Sequence, residues 1–191
     1  WKTCKQDNDN LCKELTTRLG LVDKEEFMRL RTRVLDEPDE LEQSIMYFII
    51  NRCSFSGATL SGGFSLESSK KRFTKSSIDR INDLDLSNFE IYNQDFVEFM
   101  NNNKSGFMFL DPPYYLEKKS KLYGNKGDLH ENFDHNKLYE CLKNRKNWLM
   151  TYNNCEFIKK MYKDFKIIET SWSYGMNKTK ESSEIVILSK N

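Results

Sequence analysis

The segment with the most chemistry in it is Phe107-Met108-Phe109-Leu110-Asp111-Pro112-Pro113-Tyr114. An apolar run ends there in an aspartate, two adjacent prolines and a tyrosine. The chain has only three prolines, and two of them stand together at this point. Pro112 keeps Asp111 out of the α region. Pro112 and Pro113 have fixed φ and offer carbonyls with no competing N–H. So stiff a turn suits a flat ligand that carries an amino group: the carboxylate and a proline carbonyl accept its two hydrogens, and Tyr114 stacks on its face. An amine conjugated to an aromatic ring is a poor nucleophile, because its lone pair is delocalised. Two acceptors on its hydrogens push the nitrogen towards tetrahedral geometry and free that pair. A methyl group on a sulfonium donor held in line then transfers directly, without a covalent enzyme intermediate. The plainer alternative is a strand that ends in a proline turn.

Such a turn works at the C-terminal end of a strand, where open α/β sheets place their ligands. Gly106–Leu110 is continuously apolar, as expected of a strand buried on both faces. Around it the pattern predicts strands at Phe89–Tyr92, Trp148–Thr151, Phe165–Trp172 and Glu184–Leu188. Between them it predicts a helical turn at Phe96–Met100 and helices at Asp134–Leu142 and Glu156–Tyr162. This alternation predicts an α/β domain with a largely parallel sheet over 89–191. The first 88 residues read differently. Helical spacing covers Leu11–Leu21, Glu25–Leu35, Asp39–Arg52 and Phe73–Leu84. The Ser- and Gly-rich stretch Ser54–Ser69 reads as a loop and not a core element.

Composition narrows the class. One hundred and ninety-one residues suit one domain with an appendage, and 38% hydrophobic residues suffice for a core. A net charge of +1 excludes a chromatin-type basic protein and an acidic tail protein. The charge is uneven: residues 1–50 hold 8 basic and 11 acidic side chains, and the remainder is correspondingly basic. Lys70-Lys71-Arg72, Lys118-Lys119-Lys121 and Lys178 with Lys180 form basic patches with aromatic residues among them. They permit a nucleic-acid face or are solvated loop charges. No apolar run approaches the ~20 residues that cross a bilayer. Five cysteines without a CxxC pair point to a reducing, cytoplasmic compartment. His130 and His135 lack partner ligands for a metal, and His135 reads as a packing or capping residue near a helix start. Gly57–Gly63 is not a phosphate loop, because no Lys-Ser/Thr follows it.

Several landmarks in succession carry a resemblance. Asn51-Arg52-Cys53-Ser54-Phe55-Ser56-Gly57 with Ser61-Gly62-Gly63, then Asp111-Pro112-Pro113-Tyr114-Tyr115, Lys121-Leu122-Tyr123, Phe133-Asp134-His135 with Leu138, Trp148–Asn153 and Ser183-Glu184-Ile185-Val186 appear in order. The chain resembles the Dam-like DNA adenine-N6 methyltransferases over nearly its whole length. The resemblance implies a Rossmann-like sheet with a helical DNA-recognition insertion, S-adenosylmethionine as methyl donor, double-stranded DNA as partner, and a target adenine flipped out of the duplex. Asp111, Pro112, Pro113 and Tyr114 would hold and stack that adenine. Asp95 and Phe96, together with Asp111, would contact the cofactor; for Asp95 the alternative is an ordinary turn carboxylate. Asn51, Arg52, Phe55, Ser56 and Gly57 correspond to the recognition insertion, where Arg52 contacts phosphate or base or else buttresses the loop. Lys118, Lys121 and Tyr123 would close over the target strand, and Lys178 and Lys180 would touch phosphates.

The chain also departs from the family pattern. The aromatic-x-Gly-x-Gly cofactor loop, the acidic residue that ends the second strand and a basic residue near the N-terminus do not occur. Trp1-Lys2 corresponds to the point just after the second strand, so the resemblance implies a sheet without its first two strands. That leaves apolar strand edges open. Three resolutions present themselves: a longer natural chain, a second polypeptide that supplies the strands and the Gly-rich loop, or a degenerate remnant that binds DNA or a partner as a structural component without methylating. A methyltransferase acting on RNA guanine or adenine is a further alternative, and the Asn51–Gly63 insertion argues against it.

Overall fold

A computed structural model of the chain describes residues 1–115, 133–173 and 181–190. The chain divides into two compact units, the first Trp1–Tyr92 and the second beginning at Asn93.

The first unit is helical. Helices α1 (Lys2–Gln6), α2 (Asn8–Thr17), α3 (Lys24–Arg33), α4 (Glu40–Cys53), α5 (Leu66–Arg72) and α6 (Lys75–Asn82) follow in order. Side-chain caps set four of the starts. Asp23, Asp39, Ser65 and Thr74 each accept the backbone N–H three residues on, and Thr74 and Ser77 cap reciprocally. Central helix α4 buries Ile45, Met46, Ile49, Ile50 and Cys53, the stripe expected of a helix enclosed on one side. Leu15 of α2, Phe27 and Leu30 of α3 and Ile78 of α6 pack into the same core. The helices predicted at Leu11–Leu21 and Phe73–Leu84 form over shorter spans. The first stops at Thr17, before Gly20 takes a φ of 75°. Ser54–Ser69 is not wholly a loop. Ser54 and Phe64 form an isolated antiparallel bridge, and Ser65 starts α5 inside the stretch.

The second unit is mixed α/β. It contains α7 (Phe96–Asn102), β1 (Met108–Leu110), α8 (His135–Leu142), β2 (Trp148–Asn153), α9 (Glu156–Met161), β3 (Lys166–Ser173) and β4 (Glu181–Leu188). The four strands form one sheet in the order β1-β2-β4-β3. Its core joins Trp148, Met150 and Tyr152 from one face of β2 with Leu138 and Leu142 of α8, Ile158 of α9, and Ile185 and Ile187 of β4. Trp148 Nε1 donates to the carbonyls of Leu142 and Arg145, so the largest core side chain has its polar atom satisfied.

Three expectations need correction here. The sheet is not largely parallel: β1 runs parallel to β2, whereas β4 is antiparallel to both β2 and β3. Only seven residues separate Ser173 from Glu181. A parallel crossover needs about a dozen or more, so β3 and β4 must run antiparallel. Next, Phe89–Tyr92 forms no strand, and Phe89 is 59% exposed. Its backbone is satisfied otherwise: Phe89 N–H turns back to the Leu86 carbonyl, and the Phe89 carbonyl accepts from Lys5 Nζ. Lastly, Gly106–Leu110 is not buried on both faces. Its strand is three residues long and pairs on one side only among the described residues, leaving Phe107 70% and Phe109 62% exposed.

Candidate active site

The strand register brings the Asp-Pro-Pro-Tyr turn to the end of β2. Leu110 pairs with Met150, so Asp111 comes level with Thr151. Thr151 Oγ1 donates to Asp111 Oδ1 at 2.8 Å. Two residues further along β2, Asn153 Nδ2 donates to the Tyr115 carbonyl at 2.8 Å. The turn is thus fastened on both sides of its prolines by side chains of one neighbouring strand. Asp111 itself is exposed, with its remaining oxygen open to a ligand, while Pro112, Pro113 and Tyr114 are half-buried. Asn153 Oδ1 is buried and has no hydrogen-bond partner, an acceptor held next to the turn.

Aromatic rings wall this end of the sheet. Tyr114 lies 6.0 Å from Tyr152 between centroids. Tyr115 stacks on Phe157 at 4.2 Å and meets His135 edge-on at 5.4 Å. Phe133 packs on His135 at 5.0 Å and on Phe96 at 5.3 Å. Nδ1 of His135 shares a hydrogen bond with the Tyr152 hydroxyl. Burial pushes that hydroxyl far above the usual tyrosine range, so it stays protonated. His135 is the first residue of α8, next to its cap Asp134, which accepts from Lys137 N–H. The wall reaches the start of α7. There Asp95 caps the helix, accepting from Val97 N–H at 2.9 Å, and remains exposed. Phe96 and Tyr114 therefore belong to one aromatic lining, and Asp95 stands immediately before it.

The first unit holds a different arrangement. Asn51 Nδ2 donates to Thr59 Oγ1 at 3.1 Å and to the Gly57 carbonyl at 3.4 Å. Thr59 N–H donates to Ser54 Oγ at 3.0 Å, and Phe55 N–H to the Gly63 carbonyl at 2.9 Å. These bonds hold a tight loop in which Ser56 and Gly57 both have positive φ, 50° and 73°. A Cβ on Gly57 would meet Arg72 Nη2 at 2.7 Å, the far end of a flexible side chain that can give way, so it is the positive φ that favours glycine there. Phe55 stands out from the loop, 69% exposed.

Arg52 lies over the Phe48 ring at 5.2 Å, with its Nε buried and unpartnered. Burial, with Arg72 and Arg80 nearby, lowers its pKa from the ordinary arginine value. No described carboxylate lies within ion-pair distance of these three arginines.

Among the residues singled out from sequence, Asp111, Pro112, Pro113, Tyr114 and Phe96 share one end of one sheet. Asn51, Arg52, Phe55, Ser56 and Gly57 share one loop. Lys118, Lys121, Tyr123, His130, Lys178 and Lys180 lie outside the described residues. Sequence reading placed Thr151, Tyr152 and Asn153 within the Trp148–Asn153 landmark without giving any of them a role, and it missed Arg80. Thr151 and Asn153 could be found only through the β1–β2 register. Among the described residues no cluster of potential metal ligands occurs, and no helix is long and apolar enough to cross a membrane.

The family model for D12 class N6 adenine-specific DNA methyltransferases matches residues 1–176, and the chain belongs to that family. No curated protein matches it closely enough to count as a relative. The match fits the mixed α/β unit and supports DNA methylation as the general activity.

Proposed function

We propose that this chain carries the catalytic turn of a methyltransferase that moves a methyl group from S-adenosylmethionine to N6 of an adenine flipped out of double-stranded DNA. The observation that supports this best is the fastening of Asp111 by Thr151, next to a turn that presents Tyr114. Asp111 and the Pro112 carbonyl accept the two N6 hydrogens, and Tyr114 stacks on the base. The donor supplies an electrophilic methyl carbon bonded to a sulfonium. Held by Asp111, the amine uses its lone pair to form the N–C bond. The C–S electron pair leaves with sulfur, and the surplus N6 proton passes by way of Asp111 to solvent. Unstacking the base costs a few kcal/mol, offset by stacking on Tyr114 and by phosphate contacts.

Asp95 and Phe96 fit the adenosyl end of the donor, an exposed carboxylate beside an aromatic face. The Gly-x-Gly loop for the rest of the donor is not in this sequence. In this reading further strands carry that loop, from the same polypeptide or a second one, and pair with the open edge of β1 at Phe107 and Phe109. In the first unit, Arg52, Arg72 and Arg80 neutralise phosphates and Phe55 reaches the bases, with Asn51, Ser56 and Gly57 shaping the loop.

Calorimetry of S-adenosylmethionine binding, followed by transfer of labelled methyl to adenine-containing duplexes, tests the reading. Micromolar binding and transfer that Asp111→Ala abolishes are expected. A folded chain that binds DNA yet neither binds the donor nor methylates, even with a partner supplying the loop, would establish the non-catalytic alternative.

A further inference from the structure

At the other end of the same strands, away from Asp111, the second unit has a cleft of about 430 Å³. It is walled by the end of α7, the turn into β1 and the turn into β2. Because β1 and β2 are parallel, their N-terminal ends lie side by side, and the two incoming turns form one concave surface. Both turns reverse through a positive φ, at Gly106 (93°) and Asn147 (60°).

The lining has an uneven charge. It includes Lys104, Arg145 and Lys146, three asparagines (Asn101, Asn144 and Asn147) and no carboxylate. Lys104 and Lys146 are exposed and lie within ion-pair distance of no described acid. Arg145 is set firmly in the wall. Its Nη1 donates to the Met100 carbonyl at 3.2 Å and its Nη2 to that of Asn103, closing the C-terminal end of α7. Its Nε is buried and has no partner. A guanidinium fixed in the wall, two exposed ammonium groups and three amides able to donate make a site for a compact, multiply charged oxyanion. A chain with a net charge of only +1 concentrates three uncompensated cations in one hollow, where their mutual repulsion is relieved by a bound anion.

We infer that this cleft binds a phosphate group, with Lys104, Arg145 and Lys146 supplying the positive charge that faces it. It is separate from the proposed active site and does not depend on the methyl-transfer reading. The phosphate belongs to a free phosphate ester or to a nucleic-acid backbone outside the target site. The two sources are distinguished by competition.

The test is calorimetric titration of the intact chain with inorganic pyrophosphate at constant ionic strength, with chloride as the matched control and Lys104→Ala/Lys146→Ala as the variant. Both lysines are exposed, so the variant keeps its fold, checked by near-ultraviolet circular dichroism. Wild-type protein is expected to bind pyrophosphate at one saturable site, and the double variant at least about tenfold more weakly, having lost two charged contacts. A short duplex that displaces pyrophosphate assigns the site to the nucleic-acid backbone; pyrophosphate retained under saturating duplex assigns it to a free ester. Equal binding by the double variant, or heats that follow ionic strength alone, would overturn the inference. Loss of donor binding or methylation through Asp111→Ala would leave it untouched.

Discussion

Thr151 is the residue on which the proposed chemistry depends without touching substrate. Its hydroxyl donates to one Asp111 oxygen and leaves the other free for the base amine. Thr151→Val keeps the shape and removes the donor. A hydrogen bond to a charged group is worth about 1.5–3 kcal/mol. The variant should therefore lose about 10- to 100-fold in kcat, with little change in the KM for DNA, in steady-state methylation. The opposite outcome is expected at Tyr162. Its side chain is 1% exposed, and its hydroxyl is buried without a partner. Removing an unsatisfied buried polar atom relieves its desolvation cost, so Tyr162→Phe should raise unfolding free energy by about 1 kcal/mol. Tyr152→Phe, which breaks the bond to His135, should lower it by a similar amount. Denaturant titrations of the pair check both signs. Neither hydroxyl's status could be read from sequence, where both tyrosines are simply core aromatics.

At the level of elements, sequence patterns revealed what local chemistry dictates. The helical ranges read from sequence began at Asp39 and Asp134, which the structure shows to be the caps of α4 and α8. Apolar spacing marked the buried stripe of α4. The proline pair marked the turn that follows β1. Properties set by neighbours were hidden. The exposure of Phe109 depends on which strand lies next to β1, and the failure of Phe89–Tyr92 to form a strand depends on the lack of a described partner. Position in a sheet is a property of pairing, which period-two patterning does not encode. Asp95 shows how the two levels meet, since it caps α7 and stands before Phe96. Asp95→Ala should cost about 1 kcal/mol in stability as a lost cap. If the carboxylate also holds the donor, S-adenosylmethionine affinity falls at least about tenfold, while Asp134→Ala, another lost cap, leaves it unchanged. Equal affinities in the two variants would reduce Asp95 to a helix cap.

On the scale of the whole chain, two cores with no shared residue imply two unfolding events with different pH responses. The carboxylates of Glu26, Glu67 and Asp85 in the first unit are held below their ordinary range, chiefly by hydrogen bonds from Arg29, Lys71 and Ser87. A depressed carboxylate contributes stability that is present above its unfolded pKa and lost as pH falls through the folded value. Glu67 and Asp85 are exposed and Glu26 is half-buried, so solvent screens them and the acid loss is shallow. The second unit responds at the other extreme. Burial raises the hydroxyls of Tyr152 and Tyr162 far above the ordinary tyrosine value. Their contribution is complete below the unfolded pKa of about 10 and is lost as pH climbs towards the folded values, because only the unfolded chain can ionise them. Thermal unfolding followed from acid to alkaline pH should therefore show a gentle decline below about pH 5, mainly in the first unit. A steep decline should begin near pH 10 in the second. Tyr162→Phe should soften the alkaline limb and leave the acid limb in place; an alkaline limb of unchanged slope would mean that the Tyr162 hydroxyl meets water in solution.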